Sequence, residues 1–149
     1  GLFNILDNKI DIIDATVLDL FTGTGNLSFE FTSRGAKSSI AVDISHISVR
    51  FVNEQAKKWN LPIKAFKNNV FKFLAKPVGT FDIIFADPPY ALDGIDTIPD
   101  LILQSTLLSS DGLLIVEHGK ETDFKDHPNL VDVRNYSKVN FSFFKHPVE

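Results

Sequence analysis

The sequence predicts an α/β fold: a mostly parallel sheet with helices on both faces, closed at its C-terminal end by an antiparallel hairpin. Short apolar runs alternate with segments of helical periodicity from Thr16 to Glu117, the pattern of repeated strand–helix–strand crossovers. Such crossovers are right-handed and return each strand parallel to the last. Beyond them, Leu130–Arg134 and Val139–Phe144 are separated only by Asn135-Tyr136-Ser137-Lys138. So short a connection requires an antiparallel pair.

Taken in order, Thr16–Phe21 reads as a buried strand that Gly23-Thr24-Gly25 breaks sharply. A short helix follows, with Leu27 and Phe31 on one face and Gly35 as its stop. Ser39–Asp43 is the second strand. Ile47, Phe51, Val52, Ala56 and Trp59 then recur at helical spacing, largely opposite Arg50, Glu54, Lys57 and Lys58. This predicts an amphipathic crossover helix that lays the apolar set on the sheet. Ile63–Phe66 makes a third, weaker strand, Val70–Ala75 a short helix and Phe81–Ala86 the fourth strand. Asp96–Leu108 predicts another helix, with Pro99 tolerated in its first turn. Asp111-Gly112 is then expected to turn the chain into a strand at Leu113–Glu117. In the hairpin, Val139, Phe141 and Phe143 alternate as one buried strand face.

With 149 residues, 44% of them hydrophobic, the chain suits one globular domain with a sizeable core. No apolar run approaches the length of a membrane span and the first residues do not pattern as a signal peptide, so a cytoplasmic location is the expectation. The absence of cysteine excludes thiol nucleophiles and thiolate metal sites. The absence of methionine, an initiator included, leads to the expectation that the sequence is part of a longer chain. The net charge of −4 opposes a generic nucleic-acid binder. Yet residues 34–76 carry nine Lys or Arg against two acids, while residues 77–119 carry seven acids and no Lys or Arg. Solvated helix faces explain such lysines in the first instance, and a polyanion-facing flank is the alternative.

Two motifs carry chemistry. Asp87-Pro88-Pro89-Tyr90 ends the fourth strand. Each residue before a proline is held extended and neither proline donates a hydrogen bond, so the hook is stiff. A carboxylate, a carbonyl and an aromatic face suit an amino group on a flat ring. Taken alone, the same four residues read equally well as an ordinary turn. Upstream, Asp19-Leu20-Phe21-Thr22-Gly23-Thr24-Gly25 places two glycines between strand and helix, where a ligand can approach the backbone. A dinucleotide fingerprint would continue with Gly or Ala where Ser28 stands. Asp19 would repel a pyrophosphate and favours a cationic ligand group. Asp43 ends the second strand, where an acid accepts hydrogen bonds from ribose hydroxyls, and reads equally well as a helix N-terminal acid before Ser45-His46. Asn69 follows the third, where an amide can read an adenine edge or cap a helix. The inferred ligand carries a ribose, an adenine and a positive charge, and S-adenosyl-L-methionine has all three. Glu117 and His118 follow a strand end and could approach the substrate cleft, but read first as surface residues.

On these residues the chain resembles class I S-adenosylmethionine-dependent methyltransferases, and among them the RsmD-type family that methylates a guanine N2 amine of small-subunit (16S) ribosomal RNA. The likeness runs from Leu2-Phe3-Asn4-Ile5-Leu6 through Val17–Gly25 and Ser33-Arg34-Gly35-Ala36 to Phe85–Tyr90. It implies a Rossmann-like methyltransferase domain over residues 1–149. Asp19, Phe21, Gly23, Gly25, Asp43 and Asn69 would line the cofactor site, many relatives having Asp where Asn69 stands, and Asp87, Pro88, Pro89 and Tyr90 would hold the target base. S-adenosyl-L-homocysteine would be the product, no metal would be needed, and ribosomal RNA or the small subunit would be the partner. The family's basic, Arg-containing segment ahead of Leu-Phe-Asn is not among these residues. The same hook also suits DNA amines or a protein glutamine amide. A nicotinamide-dependent oxidoreductase is opposed by Asp19 and Ser28, and a noncatalytic RNA-binding module by the presence of both motifs. Oligomeric state is left open.

Overall fold

The computed structural model describes residues 1–148. Its elements in chain order are α1 (Leu2–Leu6), β1 (Thr16–Leu20), α2 (Asn26–Ser33), β2 (Ser38–Asp43), α3 (His46–Lys58), β3 (Ile63–Lys67), α4 (Val70–Ala75), β4 (Phe81–Ala86), α5 (Ile98–Leu103), β5 (Leu108–His118), β6 (Leu130–Tyr136) and β7 (Val139–Phe144). One seven-stranded sheet runs β3-β2-β1-β4-β5-β7-β6. The first five strands in that order are parallel, and β7 is antiparallel to both β5 and β6. This is the Rossmann-like class I methyltransferase fold. The order reverses between β1 and β4, and open α/β sheets bind their ligands beyond the carboxyl ends of the strands at such a point.

Strands of a sheet covered on both faces are apolar on both, and β1 and β4 bury nearly every side chain. Leu18, Leu20, Ile84 and Ala86 face a core closed by α4 and α5, while Val17, Ile83 and Phe85 face a second closed by α1 and α2. Phe143 and Phe144 are fully buried in opposite cores, and Phe141 and Val139 join the α1 side as alternation predicts.

Three expectations are corrected. Helix α5 ends at Leu103 rather than Leu108; Ser105 caps the turn beyond it, its hydroxyl donating to the Ile102 carbonyl and accepting from the Leu107 N–H. Asp111-Gly112 is no turn into the next strand but lies inside β5, which starts at Leu108. Phe81 pairs with Leu108 and Ile83 with Leu113, so the intervening residues bulge. At Gly112 a Cβ would sit 2.9 Å from the Asp82 carbonyl oxygen, so this glycine serves a close backbone approach. Finally, α3 buries only Val52 and Ala56 of its apolar set, whereas Ile47 is 80% and Trp59 64% exposed and Phe51 is exposed too. Near the sheet edge β2 and β3 offer one narrow strip, Ala41, Ile63 and Ala65, too narrow for a stripe of that width.

Candidate functional site

The ends of β1, β2 and β4 bring together the two sequence motifs. Parallel pairing aligns Leu20 with both Val42 and Ala86, so Phe21, Asp43 and Asp87 emerge side by side. The Asp87 N–H donates to the Leu20 carbonyl at 3.3 Å, tying the hook to β1.

Phe21 turns the chain with φ 61°, a left-handed conformation that costs a side-chain-bearing residue of order 1 kcal/mol and collects at functional sites. The turn delivers the Gly23 N–H to Asp43 Oδ2 at 2.8 Å, while Asp43 Oδ1 accepts from the Ser45 N–H at 2.9 Å. The Asp43 carboxylate is thus fixed in direction, with lone pairs left for further donors. The two glycines have different jobs. Around Gly23 a Cβ would meet nothing within 4 Å, so its backbone borders open space. At Gly25, φ 84°, a Cβ would lie 2.8 Å from Val52 Cγ2, so this glycine lets the loop close onto α3.

Asp19 is only 2% exposed and acts from beneath the loop. Its Oδ2 accepts from Thr22 Oγ1 at 2.7 Å and from Ser28 Oγ at 2.6 Å. Ser28 Oγ also lies 2.8 Å from Ser39 Oγ. Ser28, in the sequence no more than a departure from a dinucleotide loop, is the hydroxyl that supports a buried carboxylate. Even with these bonds, burial pushes the Asp19 pKa up to about 6. Its folded pKa lies above the ordinary value, so the folded state holds the proton more tightly, and stability falls as pH rises from about 4 through 6. Relative to Asp19→Asn, the free protein is expected to lose of order 3 kcal/mol between pH 4 and pH 7, measured by urea unfolding across that range.

In the hook, Pro88 is buried and its carbonyl accepts no hydrogen bond among the described residues. The Pro89 carbonyl is taken by the Leu92 N–H at 2.9 Å, so only one of the two proline carbonyls is free for a ligand. Tyr90 is 48% exposed, and its ring lies against Gly119, where a Cβ would stand 3.2 Å from Tyr90 Cδ2. Asn69 caps α4, its Oδ1 accepting from the Lys72 N–H at 3.2 Å. The capping reading therefore describes its side-chain oxygen.

The residues that sequence reasoning missed sit on β5. Ala86 pairs with Val116, so the next residues, Asp87 and Glu117, face each other and share a hydrogen bond. Burial raises both pKa values, that of Glu117 to about 7 with the Asp87 charge adding to the rise. The two carboxyls titrate together, and the pair loses its last proton near neutrality. Burial and then the charges of Glu117, Asp87 and Glu121 push the Tyr90 phenol up. His118 is likewise no surface residue, being 3% exposed. Its Nδ1 lies 2.9 Å from the Gly119 carbonyl and must donate, so in the neutral ring Nε2 accepts from Ser142 Oγ at 2.7 Å. It locks β5 to β7 beneath the hook. No local signal in the sequence joins Asp87 to Glu117; the available hint is an acid closing a parallel strand beside another strand-end acid.

An S-adenosylmethionine-like ligand fits this donor set: a fixed carboxylate for a ribose diol, open backbone at Gly23, and a buried carboxylate that a cation relieves. Residues 19–33 contain no Lys or Arg for a pyrophosphate. Among the described residues there is no cluster of three metal-binding side chains and no helix long and apolar enough to cross a membrane.

Comparison with known proteins bears on the family and the fold. A family model described as "Conserved hypothetical protein 95" matches residues 1–145. Ribosomal RNA small subunit methyltransferase D of Buchnera aphidicola is 30% identical over 117 residues, covering 78% of this chain and 59% of that protein. MJ0928 of Methanocaldococcus jannaschii, named as a candidate protein N5-glutamine methyltransferase, is 35% identical over 86 residues, 58% of this chain and 42% of that protein. The chain thus spans about half the length of these two relatives. Among solved structures, SMU.776, a candidate methyltransferase in complex with SAH, superposes with a TM-score of 0.76 at 21% identity, covering 97% of this chain and 48% of that one.

Proposed function

This chain belongs to the Conserved hypothetical protein 95 family, and from that membership and the strand-end geometry we propose that it is an S-adenosylmethionine-dependent N-methyltransferase acting on the exocyclic N2 amine of a guanine in small-subunit ribosomal RNA. The observation that carries the reading is the Asp87–Tyr90 hook at the sheet's switch point, with one unpartnered carbonyl, a half-exposed aromatic ring and a carboxylate backed by a second carboxylate.

Asp43 would hold the ribose hydroxyls, Gly23 would admit the cofactor to the loop backbone, and Asp19 would offset its positive charge from below. Bound there, S-adenosylmethionine supplies an electrophilic methyl group on a sulfonium. The guanine N2 lone pair is delocalised into its ring, so the amine is a poor nucleophile. Asp87 and the Pro88 carbonyl, by accepting its two hydrogens, favour a pyramidal nitrogen, and these bonds strengthen as positive charge develops. Tyr90 stacks on the exposed base and offsets part of the cost of unstacking it. Glu117 gives the amine proton a place to go: once ionised, it and Asp87 form an acceptor pair of two negative charges.

The test offers labelled S-adenosylmethionine to the protein with small ribosomal subunits, naked ribosomal RNA, DNA and protein, followed by digestion. Label in N2-methylguanosine is expected. Label in glutamine would support the second reading, to which the M. jannaschii relative points, and absence of label from RNA would overturn the first. Single-turnover rates are expected to rise through about pH 7, following the loss of the Glu117 proton. In Glu117→Gln that rise should disappear from the neutral range, because the group that titrates there is gone.

A further inference from the structure

The basic block of the sequence includes the end of α3 and β3, an edge strand of the sheet. Its two arginines are neutralised on their own helices, Arg34 by Glu30 and Arg50 by Glu54, each at 2.9 Å. Its lysines are not. Lys57 and Lys58 at the end of α3 and Lys64 and Lys67 on β3 are exposed and form no ion pair among the described residues. Two large rings stand among them, Trp59, 64% exposed, and Phe66, 53% exposed. Trp59 is held in place, its Nε1 donating to Gln55 Oε1 at 3.3 Å, with Lys58 Nζ 5.5 Å from the ring centroid.

β3 is an edge strand, and lysines guard edges against pairing with other chains. That accounts for Lys64 and Lys67 but not for an exposed phenylalanine between them. The opposite edge is handled differently: on β6, Asp132 is bound by both Lys9 and Arg134, so charge there is mixed and internally paired. Single-sign charge interleaved with solvent-facing rings matches the phosphates and bases of a single strand. β3 also leads into the site, since the Asn68 N–H donates to the Asp43 carbonyl at 3.0 Å. Residues 77–119 carry seven acids and no Lys or Arg, and two of these acids, Asp87 and Glu117, stand at the hook itself, where they repel a polyanion.

We propose that the β3 edge, from Trp59 through Lys64 and Phe66 to Lys67, is a track for the single-stranded RNA that flanks the target base, with lysines on phosphates and the two rings stacking bases. This rests on the reading of the substrate as RNA and adds where its backbone lies. Lys64 and Phe66 share one face of β3 and Lys67 lies on the other, about 10 Å from Lys64 along the strand, so the track follows the edge of the sheet toward Asp43.

The test measures a fluorescent single-stranded RNA oligonucleotide by anisotropy over a salt series, against the triple variant Lys58→Ala/Lys64→Ala/Lys67→Ala and the double variant Trp59→Ala/Phe66→Ala. S-adenosylhomocysteine affinity, expected unchanged in both, reports an intact fold. The lysine variant should bind at least about tenfold more weakly, with a log–log salt slope smaller by about two. The ring variant should also lose about tenfold or more, with its slope unchanged. Wild-type RNA affinity and salt slope in both variants, while the wild-type protein labels RNA, would overturn the track and leave the proposed function standing. A wild-type chain that labels only protein or DNA would overturn both.

Discussion

Asp87→Ala is expected to lower methyl transfer by at least about a hundredfold while S-adenosylhomocysteine affinity stays within about twofold, measured by single-turnover transfer and calorimetry. The magnitude is that of one lost transition-state contact. The split between the two readouts follows from position. Asp87 lies beyond β4, facing Glu117 across the hook, whereas the loop that would hold the cofactor is fastened to Asp43 and Asp19 by bonds in which Asp87 has no part. The variant also removes the negative charge that helps to raise Glu117, whose pKa should fall from about 7 toward its ordinary value. Asp87→Asn is the informative companion: an amide oxygen still accepts, so part of the activity should return, with the rise in rate moved to lower pH because Glu117 loses the neighbouring charge. Near-normal turnover in Asp87→Ala would remove the hook from the mechanism.

Asp43→Ala should act on the other half of the site, weakening S-adenosylhomocysteine binding by at least about thirtyfold. Two losses add. A ligand diol would lose charge-assisted bonds, each worth about 1.5 to 3 kcal/mol. The Gly23 N–H, held at 2.8 Å, would lose its acceptor, and with it the loop would lose the direction that Phe21 is strained to provide. Because the loop itself loosens, thermal stability should fall as well, unlike in Asp87→Ala. An Asp43→Ala protein that binds the ligand normally would move the ribose elsewhere.

Much of this site is legible in the amino-acid sequence. Glycines between strand and helix, an acid at the end of the next strand and an Asp-Pro-Pro-Tyr hook are short-range signals, because each depends on what a few consecutive residues let the backbone do. Asn69 admits two readings from sequence, and its oxygen is found capping α4. Glu117 reads as surface because its role depends on the register of β4 against β5, which brings residues thirty positions apart into contact. Ser28 looks like a missing glycine, and only the meeting of α2 with β1 and β2 turns it into a donor to Asp19.

By itself the sequence determined the alternation of strands and helices, the parallel sheet with its terminal hairpin, and which side chains stand at the strand ends, since period, chain connectivity and side-chain type are local properties. Tertiary structure alone decided which apolar residues α3 buries, that β5 begins five residues early through a bulge, that the two loop glycines serve different neighbours, and that Asp87 has an acidic partner. Periodicity says that a stripe is apolar but not how wide a surface it will meet, and a strand's composition does not set its register. Those depend on packing between segments distant in the chain, as does the place of β3 at the edge of the sheet.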